Sequence, residues 1–195
     1  MLRDLNTQAI DIFLQPGEWH VGDRGTRIRT ILGSCVSLVL WHPQRSIGGM
    51  CHYMLPSRPD GTAKELDGRY ADEAMELMLR DLHRTGTRVA DYQAKIFGGA
   101  NMFPGKIAST GIQIGVRNIQ AAHHIVHSRN LNCVTEHTAG VGHRNLIFDV
   151  ATGCVWVKQL NPATIERLNG APASLPESNN SIFAGRPSAP AYCHA

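Results

Sequence analysis

The chain has 195 residues, of which 43% are hydrophobic and 18% charged. This length and composition predict one globular domain with a single substantial core and leave little room for a second domain. The formal net charge of +3 comes without a block of Lys or Arg, which argues against a nucleic-acid-binding or membrane-surface protein.

The N-terminal segment and the cysteines indicate the compartment. Asp4 and Asp11 interrupt the region where a signal peptide needs a basic and then an apolar stretch, and no later run reaches membrane-spanning length. We therefore expect a cytoplasmic protein. The five cysteines are odd in number, dispersed and without a CxxC pair, so we expect reduced thiols rather than a disulfide framework or a zinc ribbon.

Short β-branched runs alternate with helical patterns along the chain. Strands are predicted at residues 27–31, 36–41, 47–55, 94–97, 111–116, 131–136, 145–150 and 154–158. Helices are predicted at 70–85 and 118–129, with a short one at 162–168. The pattern predicts the α/β class and a layered domain.

Three regions differ in composition. Residues 1–14 are predicted to be an N-terminal extension that is partly mobile, although its apolar residues at positions 10 and 12–14 could dock on the domain. Residues 15–168 form the predicted domain. Residues 169–195 are rich in Pro, Ser, Ala, Gly and Asn, which predicts a disordered tail.

Cys35 is placed where a nucleophile is often displayed. Gly33 and Ser34 form a corner before it, and the apolar run VSLVLW follows. A glycine at such a corner permits close approach of a substrate, and the Cys35 amide could point at a developing oxyanion. Taken alone, a cysteine in a strand-forming segment is more often a small buried core residue.

His52 becomes a neighbour of Cys35 by strand pairing. Alternation along residues 48–55 puts Cys51 and His52 on opposite faces, and a hairpin through residues 42–46 brings positions near 36 opposite positions near 51 or 52. A thiol beside an imidazole forms a nucleophilic thiolate–imidazolium pair, so we expect a cysteine more acidic than a free one. A satisfied, half-buried histidine is the alternative interpretation of His52.

Four motifs in order closely resemble those of the CheD family of chemoreceptor glutamine deamidases. They are LGSC at 32–35, GGMCHYMLP at 48–56, KIFGGANMF at 95–103 and IGVRN at 114–118, within a resemblance that runs from about residue 17 to 159. The resemblance implies a single-domain layered α-β sandwich with mixed, largely antiparallel β-sheets covered by two main helices. It also implies a Cys-His-Thr site in which Cys35 is the nucleophile and His52 the general base. Thr30, in the preceding strand, is the best match to the family threonine. Residues 136–153 depart from the family pattern, with Glu136, His137 and His143 in place of the usual residues.

The implied reaction converts receptor glutamine to glutamate through a thioester, with no cofactor or metal. The implied partners are the cytoplasmic helices of methyl-accepting chemoreceptors and a CheC-type phosphatase. Candidate substrate-binding residues are Gly33, Ser34, Gly49 and Asn101. Two alternatives stay open: an adaptor module that binds receptor or phosphatase with little catalysis, and a related thiol chemistry such as transglutamination or peptide hydrolysis.

Two further patterns favour less specific interpretations. His123 and His127 have the spacing of metal ligands on one helix, but position 124 is His where the zincin motif requires Glu, so a polar helix face is favoured. Residues 98–107 are similar to a phosphate-binding loop, but Ala100 and Ile107 stand where Gly and Ser or Thr are needed. A turn-rich segment after a strand is the favoured interpretation.

Overall fold

The computed structural model describes residues 9–59, 65–102, 110–160 and 191–193. The predicted helix at 162–168 and most of the predicted tail lie outside these ranges. Within them the strands are β1 (Ile10–Phe13), β2 (Trp19–Gly22), β3 (Thr26–Leu32), β4 (Val36–His42), β5 (Ile47–Cys51), β6 (Gln93–Gly98), β7 (Asn132–Thr138), β8 (His143–Asp149), β9 (Val155–Leu160) and β10 (Ala191–Tyr192). The helices are α1 (Ala71–Arg84), α2 (Thr110–Ser128) and a short 3-10 helix, Val89–Asp91.

The strands form two five-stranded sheets that pack face to face. The first sheet has the order β1-β3-β8-β9-β10 and the second the order β2-β5-β4-β6-β7. The pairs β1–β3 and β6–β7 are parallel, and the other pairs are antiparallel. Both helices pack on the outer face of the second sheet. The predicted α/β layered class, with mixed and largely antiparallel sheets and two main helices, is confirmed.

Strand β4 lies at the centre of the second sheet, and this position explains why five of its seven residues are apolar. All seven of its residues are buried. Val36, Leu38 and Leu40 pack on the helix side, whereas Val39 and Trp41 pack between the sheets. Because side chains alternate across a strand, a strand buried on both faces needs a continuous apolar run.

Helix α1 forms where the apolar period predicts it. Its buried residues recur at helical spacing and cover the second sheet; they are Ala71, Ala74, Met75, Met78, Leu79 and Leu82. Asp72 and Glu73 in the first turn and Arg84 in the last turn complement the helix dipole. Among the helices of the described residues, none combines the length and apolar character needed to cross a membrane.

Helix α2 begins earlier than predicted. The strand predicted at 111–116 is wrong, because these residues form the first turns of α2. Gly115 accounts for the glycine in this helix: a Cβ there would lie 2.7 Å from the Gly99 carbonyl oxygen. Close packing of the helix on the chain near Gly99 therefore overrides the strand-like alternation of GIQIGV.

Two short strands near the N-terminus extend the sheets. Strand β1, inside the predicted N-terminal extension, pairs with β3, and β2 pairs with β5 in the register Trp19↔Cys51 to Gly22↔Gly48. The residue after β1, Leu14, is only 2% exposed and packs between the sheets. This end of the chain therefore reaches the interior of the sandwich.

The C-terminal residues 191–193 return to the domain. Strand β10 pairs with β9, and Lys95 Nζ donates to the carbonyl oxygens of Gly153 (2.6 Å) and Tyr192 (2.8 Å). Cys193 forms a disulfide with Cys154. The expectation that every thiol is reduced is therefore wrong for these two cysteines: strand pairing brings residues 39 apart in sequence into contact. Cys35, Cys51 and Cys133 are free.

Candidate active site

The corner that carries Cys35 joins β3 to β4, and its three carbonyl groups all accept hydrogen bonds. The Gly33 carbonyl accepts from the Ala100 amide at 2.9 Å, and the Cys35 carbonyl accepts from the Gly99 amide at 2.8 Å. The carbonyl between them, that of Ser34, accepts from the side chain of Asn118 at 3.1 Å. The backbone that presents the thiol is therefore fixed from one side.

Gly98 and Gly99 allow this corner to be held so closely. Both have positive φ angles, +120° and +70°, which glycine adopts without strain. A Cβ on Gly98 would lie 2.2 Å from the Cys35 carbonyl oxygen. The GGA segment of KIFGGANMF is thus a close approach of two backbones.

Cys35 and His52 face the same side of the second sheet. Val36 and Tyr53 exchange two backbone hydrogen bonds, of 3.1 and 3.0 Å, one residue further along than the predicted register. Cys35 and His52, which precede them, are therefore diagonal neighbours on the opposite face, at a typical Cα separation of about 7–8 Å. Cys35 packs against the cluster between the sheets, whereas Cys51 packs on the helix side. The predicted opposition of Cys51 and His52 is correct.

Thr30 reaches His52 from the other sheet. It lies on the inner face of β3, is fully buried, and its Oγ1 is 2.7 Å from His52 Nδ1 and 2.9 Å from the Leu14 carbonyl oxygen. The carbonyl can only accept, so the single hydroxyl proton of Thr30 goes to Leu14. The Thr30 oxygen must then accept from His52 Nδ1–H. This chain of hydrogen bonds selects the tautomer with an unprotonated Nε2.

His52 Nε2 is buried and has no hydrogen-bond partner among the described residues. The ring is only 3% exposed, and burial lowers the pKa of His52 to about 4, against smaller opposing effects of the Leu14 carbonyl and Glu18. At neutral pH the imidazole is therefore uncharged, and Nε2 carries a free lone pair. An atom in this state can accept a proton.

The thiol is also uncharged at neutral pH. Cys35 is half-buried, and burial raises the pKa of its thiol, partly offset by its own backbone amide. The expected thiolate–imidazolium pair, with an acidic cysteine, is therefore wrong for the chain without substrate. Desolvation disfavours the charged form of both groups, and the carboxylate of Glu18 offsets this effect at His52 only in part.

The four predicted substrate-binding residues lie in different parts of the structure. Gly33 and Ser34 are in the Cys35 corner, and Asn101 lies beyond Gly99, where its backbone bridges Gly140 and Gly142 at 2.8 and 3.2 Å. Gly49 is not brought to the site. A Cβ there would meet Met78 of α1 at 3.0 Å, so Gly49 faces the helix layer, and its position is explained by packing.

Asn118 is the residue whose contribution sequence reasoning missed. It is fully buried in α2, and its Nδ2 donates to Ser34 O at 3.1 Å and to Met54 O at 2.8 Å. The backbone carbonyl oxygen of Asn118 accepts a hydrogen bond from the Tyr53 hydroxyl at 2.7 Å. The signal was available, because Asn118 ends the IGVRN motif and lies one turn before Ala122 on the apolar face of the helix.

The histidines of α2 and the segment at 136–153 meet at the surface. His123 Nε2 is 2.7 Å from Glu136 Oε2, and both side chains are half exposed. His137 accepts a hydrogen bond from the buried Arg144 guanidinium, and its ring lies tilted against that of Tyr192 with the ring centroids 5.6 Å apart. Within the described residues no group of three or more His, Cys, Asp or Glu is arranged to hold a metal ion.

The chain is similar to a known family and to named relatives over most of its length. The family model described as CheD chemotactic sensory transduction matches residues 54–159, a range that begins just after His52. "Probable chemoreceptor glutamine deamidase CheD 2" of Albidiferax ferrireducens is 49% identical over 156 residues, 80% of this chain and 90% of the relative. "Probable chemoreceptor glutamine deamidase CheD 1" of Chromobacterium violaceum is 46% identical over 156 residues, 80% of this chain and 81% of the relative. A crystal structure of the Bacillus licheniformis hypothetical protein YfiH covers 64% of this chain and 49% of its own, with 14% identity and a TM-score of 0.34, a likeness too distant to bear on the fold.

Proposed function

Because the chain belongs to the CheD family, we propose that it is a glutamine deamidase that converts glutamines of methyl-accepting chemoreceptors to glutamate in bacterial chemotaxis. The relatives described above are named as chemoreceptor glutamine deamidases. The activity is that of an amidohydrolase, which adds water to a side-chain carboxamide and releases ammonia. Cys35, His52 and Thr30 are the proposed catalytic residues.

The observation that supports these roles best is the hydrogen-bond chain from Leu14 through Thr30 to His52. It fixes both the orientation of the ring and its tautomer, and it leaves Nε2 unprotonated on the face that carries Cys35. A general base needs this state.

The first half of the reaction forms a thioester. The Cys35 sulfur attacks the carboxamide carbon of the target glutamine while His52 Nε2 accepts the thiol proton, so no thiolate has to exist beforehand. The carboxamide oxygen becomes an oxyanion, and the Cys35 amide is the proposed donor to it. His52 then returns the proton to the departing nitrogen, the carbon–nitrogen bond breaks, and ammonia leaves.

The second half restores the enzyme. His52 Nε2 accepts a proton from water, and the oxygen of that water attacks the thioester carbon. The carbon–sulfur bond breaks and the sulfur takes the proton back from His52. The new carboxylic acid loses the second proton of the water to solvent, and a glutamate carboxylate remains on the receptor. Thr30 holds the ring in place through both proton transfers by accepting from Nδ1–H, which also stabilises the imidazolium that forms transiently.

The substrate is a glutamine on the helical cytoplasmic part of a receptor, and we expect the reaction to take place in the cytoplasm. Such a substrate requires an open approach to Cys35. Met54, paired opposite the Cys35 position, and Leu55 after it are large apolar residues with 37% and 38% exposure. They are suited to contact the apolar face of a receptor helix. A CheC-type phosphatase is a second proposed partner for the same surface.

The test is conversion of a purified receptor cytoplasmic fragment, followed by peptide mass spectrometry for Gln-to-Glu changes. We expect conversion by the wild type, none by Cys35→Ala, and a severe loss in His52→Gln. Cys133→Ala is the matched control, because it removes another free thiol, one that is exposed and on β7. Conversion that survives Cys35→Ala, or that is lost in Cys133→Ala, would refute the proposed site.

The same experiment separates the alternatives. An adaptor would bind the receptor fragment without converting it, in the wild type as in Cys35→Ala. A transglutaminase would, when a primary amine is added, attach that amine at the target glutamine, whereas a deamidase continues to yield glutamate. A peptide hydrolase would cut the receptor backbone and yield shortened fragments.

A further inference from the structure

Asn118 links the two chain segments that carry the proposed nucleophile and base. One hydrogen of its Nδ2 is given to the carbonyl of Ser34, directly before Cys35, and the other to the carbonyl of Met54, two residues after His52. The side chain is fully buried. Because both partners can only accept, the orientation of the amide group is fixed by its contacts.

We propose that Asn118 is a positioning residue that holds the Ser34–Cys35 peptide plane so that the Cys35 N–H faces the reaction centre as an oxyanion donor. This inference rests on the proposed deamidase function and deepens it. Asn118 would touch neither the substrate nor the sulfur. It would act through the peptide plane whose carbonyl it binds.

The argument follows from the geometry of a peptide bond. In a trans peptide the carbonyl and the N–H of the same plane point in opposite directions. The Ser34 carbonyl points toward α2, so the Cys35 N–H points away from the helix layer. That is the side on which Cys35 packs against the cluster between the sheets. Among the described residues, no other residue accepts a hydrogen bond from this amide, and it lies close enough to its own sulfur to lower the thiol pKa against the effect of burial.

The contribution of Asn118 differs from that of the neighbouring anchors. The carbonyls of Gly33 and Cys35 are held by the backbone amides of Ala100 and Gly99, which no side-chain replacement removes. The Ser34 carbonyl depends on a side chain instead. Asn118 Oδ1 is buried without a partner among the described residues, so the amide group serves its two acceptors and gains nothing from its own oxygen.

Loss of Asn118 would free the Ser34–Cys35 plane to rotate. The buried Ser34 carbonyl would then seek another donor, and the Cys35 N–H would turn away from the position of the oxyanion. An oxyanion donor acts in the transition state and not in the substrate complex, so kcat should fall by about 10²- to 10³-fold with little change in KM. Attack of the thiol on an alkylating agent forms no oxyanion, so its rate should fall far less than kcat, by only the small amount that follows from a weaker contact between the Cys35 N–H and its own sulfur.

The experiment compares Asn118→Leu, of similar volume but without a donor, with two controls. Tyr53→Phe removes the hydroxyl that binds the Asn118 backbone but leaves both Nδ2 bonds in place. Gln120→Ala removes an exposed amide on the same helix. We expect the loss of kcat only in Asn118→Leu, with the rate of Cys35 alkylation by iodoacetamide reduced far less than kcat and the circular dichroism spectrum that of the wild type.

Asn118→Ala is the second variant if the leucine variant does not fold, since it removes the donor without adding apolar bulk or a charge. A folded Asn118 variant with wild-type kcat would overturn the inference, and so would a loss of kcat matched by an equal loss of Cys35 alkylation. Failure of the wild type to convert receptor glutamines would instead refute the proposed function, so the two failures are distinguishable.

Discussion

Thr30 and His52 come from different sheets and are joined by a hydrogen bond of 2.7 Å between Oγ1 and Nδ1. The bond joins the two sheets on the face that also carries Cys35. Its direction is set by a backbone carbonyl, that of Leu14, which takes the hydroxyl proton. A residue near the N-terminus thus determines which ring nitrogen of the proposed base is unprotonated.

Replacement of Thr30 by valine keeps the shape and removes the acceptor. His52 Nδ1–H would be buried without a partner, and the ring would lose both its orientation and its tautomer preference. We expect a fall in kcat of about 10- to 100-fold and a loss of unfolding free energy of about 1–3 kcal/mol. Steady-state kinetics and urea unfolding measure the two effects.

Thr26→Val is the matched control for this prediction. Thr26 is a buried threonine on the same face of the same strand, four residues away. Thr30→Ser, which keeps the hydroxyl, should retain most of the wild-type activity. Equal kinetics for Thr30→Val and Thr26→Val would contradict the assigned tautomer.

How much of the site could be predicted from sequence depends on where each partner lies. The proximity of Cys35 and His52 follows from a hairpin, which is local, and the pairing of β4 with β5 is as expected apart from a shift of one residue. The Leu14 carbonyl was out of reach of sequence reasoning, because a backbone group carries no residue signal. The charge state of the pair was also missed, since it depends on burial from both sheets.

For the fold, too, elements with a long local pattern were predictable, and elements that depend on partners distant in sequence were not. The central strands and α1 were predictable, because their apolar periods are long and regular. Strands β1, β2 and β10 have only two to four residues, and their stability comes from partners distant in sequence. The start of α2 was missed because Gly115 opposes helix formation locally and is explained only by the contact with Gly99.

The pH dependence of stability should report the buried, neutral His52. Its pKa is about 4 in the folded chain, against an ordinary value of about 6.5 when unfolded. Between these values the unfolded chain binds more protons than the folded chain, so the free energy of unfolding falls as pH is lowered from about 6.5 to 4, by about 3 kcal/mol from this group. Stability contributed by His52 is thus fully present above pH 6.5.

His52→Gln should remove that part of the slope in urea unfolding measured across this pH range. The exposed His124 of α2, replaced in the same way, provides the control variant. Identical slopes for the wild type and His52→Gln would show that His52 is not buried in its neutral form.

The reactivity of Cys35 should rise late with pH. Because burial raises the pKa of its thiol, the rate of alkylation should still increase past about pH 8.5, the value for a free cysteine. The measurement is best made in a Cys133→Ser background, which removes the exposed thiol; Cys51 is buried with a pKa raised to about 12. A rate that is half-maximal below about pH 7 would instead reveal the thiolate–imidazolium pair.

Gly98→Ala should disrupt the corner that holds Cys35. The new Cβ would meet the Cys35 carbonyl, and the positive φ would be strained, so we expect a loss of about 2–4 kcal/mol in unfolding free energy. Gly86 has a similar φ of +72° but open space around it, so Gly86→Ala should lose only about 1–2 kcal/mol from strain. Activity should fall only in Gly98→Ala. Equal effects of the two changes would contradict the close approach.

The disulfide between Cys154 and Cys193 should contribute measurably to stability. It closes a loop with a sequence separation of 39, for which the chain-entropy relation gives about 4 kcal/mol. Cys193→Ser, Cys154→Ser and the reduced wild type should therefore all lose a similar amount of unfolding free energy relative to the oxidised wild type. Cys133→Ser, which removes a free thiol, should lose little. A non-reducing digest that yields no peptide linked through Cys154 and Cys193, or single variants as stable as the oxidised chain, would contradict the link between β9 and the C-terminal strand.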